Sequence, residues 1–280
     1  MIARMKMVTL VAALTGVAGP AFAGEKVTIA VPDSPYYTPT GGGLAGEILV
    51  DAFRRAGVEV ALSVLPIKRG VQALFAGEVD AHSPGALFIT GDLQEKIEWV
   101  NYGKVVRAYA YYLPVTPQHV LPQDPAERAR YLKDRGLSVG VLQNSPSAAP
   151  LRAQGITVHE CLDDVQLLRM LKAGRFQYAI SDVYSLATTL AATFPKEKTQ
   201  FAMILGEPLI ASVAFVKGTA RSAGLEARFE QGLAAMMKDG SFLALNEKYF
   251  GRGNVPAAIL PPELAAQGTK AFDLAKLPLP

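Results

Sequence analysis

The chain has 280 residues, half of them hydrophobic, with 28 basic residues against 25 acidic ones. That is enough apolar material for a full core, in one large domain or two smaller ones. A formal charge of +3 gives no electrostatic footprint for nucleic acid.

The first 23 residues read as a secretory leader. Arg4 and Lys6 precede an uncharged apolar stretch from Met7 to Pro20. Ala21-Phe22-Ala23 then forms a small-x-small cleavage signal before Gly24. The alternative is an N-terminal membrane anchor, but the apolar run is short for a bilayer span. Cleavage removes two of the 28 basic residues, so 26 face 25 acidic ones in a mature chain of 257. The expected location is the periplasm. Cys161 is the only cysteine, so no internal disulfide is expected. It reads as a small, semi-buried apolar residue.

Strand and helix signals then alternate. Val27, Ile29 and Val31 fall at period two, as in a strand. A turn-rich segment leads to Leu44, Ile48, Leu49, Ala52 and Phe53 on one helical face, closed by Gly57. Val58 to Leu65 alternates as a strand. Pro66 is placed to start a helix that ends at Gly77, and Val79 to His82 is the next strand. This β-α-β-α-β order indicates a mostly parallel sheet. Tyr109 to Pro125 reads as a crossover strand and then a loop.

The same design recurs. Leu137 to Leu142 is a strand, Asn144-Ser145-Pro146 a helix start, and Gly155 its end. Ile156 to His159, a helix capped by Asp163 or Asp164, and Phe176 to Ser181 follow. Leu209 to Val216 can carry the chain back, which would make a two-strand hinge. Residues 222–250 look helical, and the Pro-rich end from Gly251 wraps the surface or frays. No catalytic motif is present. The three histidines lack metal-ligand spacing, and Gly41-Gly42-Gly43 lacks the Lys-Ser/Thr of a phosphate loop.

Several segments, in order, resemble family 3 of the type II periplasmic solute-binding proteins, which serve polar amino acid uptake by ABC transporters. They are Pro35-Tyr36-Tyr37, Leu65-Pro66-Ile67-Lys68-Arg69, Gly77-Glu78-Val79-Asp80-Ala81, Leu137 to Val141 with Asn144-Ser145, Gly174-Arg175 through Asp182, and Lys248-Tyr249-Phe250-Gly251. Together they spread over most of the mature chain. The resemblance implies an α/β fold of two lobes, each a mostly parallel sheet flanked by helices. Lobe 1 would be 24–112 and 208–280, and lobe 2 would be 113–207. It implies a small polar ligand in the interlobe cleft, an inner-membrane ABC permease as partner, a monomer, and no cofactor or metal.

The resemblance also nominates ligand contacts. Tyr36 and Tyr37 would pack on the ligand, or else cover the hinge edge. Lys68 and Arg69 lie near the cleft helix, as contacts or solvated charges. Asn144, Ser145 and Ser147 would offer a helix N-terminus to an anion, or simply cap it. Asp182 would pair with a ligand amino group, or cap the next helix. One departure stands out. Family members that bind amino acids carry Thr-x-x-Arg after the third strand, where Arg grips the α-carboxylate. Thr90 is present here, but no Arg follows at that spacing. Arg69 and Arg107 are the candidate replacements. Two other functions stay open: an exported enzyme on the same fold, resembling cyclohexadienyl dehydratase, with Asp182 as general acid, and a ligand sensor docking to a non-permease partner.

Overall fold

The computed structural model describes residues 25–38, 40–83, 89, 91–116, 121–143, 145–269, 272–273 and 276–278. The readings of 1–23, Thr90 and Asn144 lie outside the described residues.

The first half follows the expected order: β1 (Glu25–Val31), α1 (Leu44–Arg55), β2 (Val58–Val64), α2 (Ile67–Ala76) and β3 (Ala81–His82). α1 forms because its apolar residues share one face, and Leu44, Ile48, Leu49, Ala52 and Phe53 are all buried. Gly77 adopts a left-handed conformation after α2, and its N–H bonds the Leu74 carbonyl. β3 starts later than the expected Val79. Asp80 turns aside to accept the Thr28 N–H and to meet Arg221.

Two long strands come next and shape the molecule. β4 (Ile97–Tyr112) begins well before the expected Tyr109, and β8 (Phe201–Val216) begins before Leu209. Between them lie α3 (Pro125–Asp134), β5 (Val139–Leu142), α4 (Ala148–Ala153), β6 (Val158–Cys161), α5 (Asp164–Lys172), β7 (Tyr178–Asp182) and α6 (Val183–Thr193). α3 falls partly in the expected loop. Its start signals are present: Asp124 accepts the Glu127 N–H at 2.9 Å and Pro125 opens the helix. Its apolar pattern is weak, because a buried position is filled by Arg128. α4 starts at Ala148, later than the Asn144-Ser145-Pro146 signal suggested. Ser145 to Ser147 instead form a turn, with the Ser145 N–H on the Leu142 carbonyl and the Ala148 N–H on the Ser145 carbonyl.

The helical stretch expected over 222–250 is built as two helices, α7 (Ala220–Asp239) and α8 (Ser241–Phe250). Gly240 sits between them at φ +81°, which reverses the local winding. The C-terminal segment wraps rather than frays. Val255, Ile259, Leu260, Leu264 and Leu277 are buried, and the Asn254 side chain bonds backbone groups of Phe250 and Asp273.

The eight strands run in the order β2-β1-β3-β8-β4-β7-β5-β6. β2-β1-β3 is parallel, and so is β7-β5-β6. Only β8 and β4 separate the two blocks, through antiparallel ladders on both sides. Their mutual ladder shifts register between Asn101 and Gly103 and again between Val106 and Ala108. Irregular pairing of this kind bends and twists a sheet. The bend falls where one parallel block gives way to the other.

Candidate functional site

Several segments line a cavity at this bend. The first leaves β1. Its shape depends on Gly43, whose φ is +80° and where a Cβ would collide with the Tyr36 carbonyl. The turn buries Tyr36 and Tyr37 to 7% and 9% exposure. Tyr37 closes a ring of three hydroxyls with Ser83 and Tyr102, at 2.9–3.1 Å. In such a ring each O–H is donated to the next oxygen, which leaves only acceptor capacity.

Tyr36 reaches the other block. Its ring lies 5.3 Å from that of Tyr184 on α6, which in turn meets Tyr249 at 5.6 Å. The buried Tyr36 hydroxyl lies beside Asp182 without a hydrogen bond of regular geometry. Burial first, then the Asp182 charge, push its ionisation well above the ordinary range.

Asp182 ends β7. It caps α6, accepting the Ser185 N–H at 2.6 Å, and it lines the cavity. Burial raises its carboxyl, and the bond from Ser185 opposes that rise. Asp164, at the start of α5, is pushed up to about 7, by burial first and then by the charge of Asp182. Its Oδ1 is buried without a partner.

The cavity encloses about 290 Å³ between the blocks, over β4 and β8. Tyr36, Tyr37, Ser145, Ser147 and Asp182 all line it. Lys68 and Arg69 are exposed on α2 and are not part of the described lining, whereas Ile67 beside them is. Sequence reading passed over Tyr102, Lys104, Phe242, Asn246 and Ile259 as wall residues. Two of these sit on the early part of β4, which the periodicity did not reveal. Ile259 comes from the wrapped C-terminal segment. Among the described residues no group of His, Cys, Asp and Glu is placed to hold a metal. His82 is buried against the Ala30 carbonyl, with Nδ1 at 3.0 Å. Cys161 is buried against Met170.

No protein-family model matches the chain, and no curated protein sequence matches it. Solved structures do match. A histidine kinase sensor domain similar to periplasmic binding proteins superposes with TM-score 0.62 at 18% identity, covering 85% of this chain and 99% of that one. An ancestral arginine-binding protein bound to arginine gives 0.59 at 18%, covering 81% and 98%. An arginine transport-system periplasmic binding protein from Legionella pneumophila gives 0.59 at 16%, covering 81% and 100%. The chain has the two-lobed periplasmic-binding-protein fold. At these identities the likeness is one of fold. Among the described residues no helix is long and apolar enough to cross a membrane.

Proposed function

We propose that the chain is an exported receptor that closes two lobes around one small polar solute and delivers it to an ABC permease. The half-open cavity at the bend carries this reading, because side chains from both parallel blocks wall it. Binding energy would favour the closed form, and the permease would recognise that form. In this reading residues 1–23 are a cleaved leader and the mature protein works in the periplasm as a monomer. Lobe 1 comprises 24–112 and 208–280, and lobe 2 comprises 113–207. The ligand is amino-acid-like, an amine or a small carboxylate. Neighbours named for arginine binding support that class. Their binding role also supports a receptor over an enzyme.

The test is thermal stabilisation of residues 24–280 against amino acids, amines and small carboxylates. A ligand at 100 times its Kd adds about 2.7 kcal/mol, a shift on the order of 5–10 °C for a chain of this size. One stabilising compound, recovered chemically unchanged, supports the receptor. Its conversion over time would identify an enzyme. The sensor-domain neighbour favours a second reading, signalling rather than uptake. Ligand-dependent capture of a purified sensor protein, with no stimulation of solute uptake in vesicles, would establish it.

A further inference from the structure

The missing carboxylate fork has a candidate successor in the hinge. The segment from Pro84 to Lys96, where the resemblance places the fork, holds no arginine. Arg69 is exposed on α2, away from the described lining. The described lining contains two basic side chains, Lys104 and Arg107, both on β4.

Arg107 stands directly opposite Asp182 in the β4–β7 ladder. Residues opposed in an antiparallel pair present their side chains on the same face, and both line the cavity. The Arg107 side chain is 20% exposed, and its Nη1 lies 3.7 Å from Glu207 Oε2, beyond hydrogen-bond reach. Glu207 is held on its other oxygen by Arg128. Arg128 is fully engaged, donating also to the carbonyls of Pro122 and Gln123. The Arg107 side chain donates no hydrogen bond to any described residue. A guanidinium carries five N–H donors in a planar fork matched to a carboxylate. Here that fork is mostly buried at a cavity wall, on the strand position opposite a carboxylate committed to a helix cap.

The cavity therefore has a donor pole at Arg107 and an acceptor pole at Asp182, on opposed residues that share one face of the sheet. A donor pole and an acceptor pole on one wall suit the carboxylate and the ammonium group of an α-amino acid. The remaining wall is largely apolar, with Leu44, Ile48, Leu142, Leu209, Phe242 and Ile259. Among the described lining residues the one other acid, Asp33, is exposed. We propose that the cavity takes an α-amino acid with an apolar side chain, its carboxylate held by Arg107 of the hinge strand. This rests on the receptor reading and narrows it.

Calorimetric titration of residues 24–280 with L-leucine, L-methionine and L-phenylalanine, each beside its amide and its decarboxylated amine, tests this. The free acids should bind about 10- to 100-fold more tightly than the amides, the gain expected of charge-assisted hydrogen bonds. Arg107→Gln should lower acid binding to the amide level, Arg107→Lys should fall between, and Arg69→Gln should change nothing. Equal binding of acid and amide by the wild-type protein overturns the anchor and leaves the receptor standing. That comparison needs no variant to fold. Acid preference retained in Arg107→Gln also overturns it. L-arginine binding more tightly than all three overturns the apolar class. Failure of every probe here and of the wider solute panel would instead bring down the receptor reading itself.

Discussion

Asp182 caps α6 and lines the cavity with one carboxylate, and the two can be separated. In Asp182→Ala the cap on α6 and the cavity charge both go. In Asp182→Asn the side-chain oxygen still caps, since Asn and Asp are nearly equal at that position. Urea unfolding should show a loss of about 0.5–2 kcal/mol for Ala and little for Asn. Titration with a ligand amine should show weakened binding in both. Asp164 predicts a pH dependence. Its folded carboxyl titrates at about 7, while an unfolded Asp titrates at about 3.9. Between those values the native state holds a proton that the unfolded chain has released. Its contribution is therefore fully present below about pH 4 and is lost as pH rises toward 7, on the order of a few kcal/mol. Asp164→Asn should flatten that decline. Unfolding curves at pH 4.5 and 7.5 that keep the same slope in wild type and variant would contradict it.

At the scale of elements, the packing of α7 on α1 depends on one glycine. A Cβ at Gly232 would collide with the Ala52 carbonyl of α1. Gly232→Ala should push the helices apart and cost about 1–3 kcal/mol, the usual range for overpacking. Gly224 lies on the same helix with open space around it. Gly224→Ala should stabilise by about 0.5–1 kcal/mol, because only helix propensity changes there. Thermal melts of the pair should move in opposite directions. The α3 helix makes a related point. Its buried face is anchored by Arg128, whose guanidinium lies 4.7 Å from the Tyr109 ring centre as well as on Glu207. Hydrophobic periodicity cannot detect an element whose inward group is charged, although Asp124-Pro125 marked its start.

At the scale of the molecule, the C-terminal wrap is part of the core and of the cavity. Ending the chain at Gly251 would remove Val255, Ile259, Leu260, Leu264 and Leu277, all buried. Each such side chain contributes about 1.5–3 kcal/mol, so the shortened protein should melt far below the full chain. It should also lose ligand binding, because Ile259 is part of the wall. A truncated protein that melts cooperatively near the full-length temperature would show that the segment is an accessory.

The amino-acid sequence determined the alternation of elements, the glycine stops at 57, 77, 155 and 174, and the two parallel blocks. Those signals are local: periodicity over a few residues, a cap, a residue able to take a positive φ. Tyr36, Tyr37, Ser145, Ser147 and Asp182, which the resemblance nominated, all line the cavity. The tertiary structure alone decided the rest. It extended β4 and β8 across both blocks, turned 145–147 into a loop, and brought the C-terminal segment back over the cavity. It also separated Arg69 from Arg107. Arginine placement depends on which face of a strand or helix the fold turns inward, and a strand that changes register at two bulges hides that choice from any pattern read along the chain.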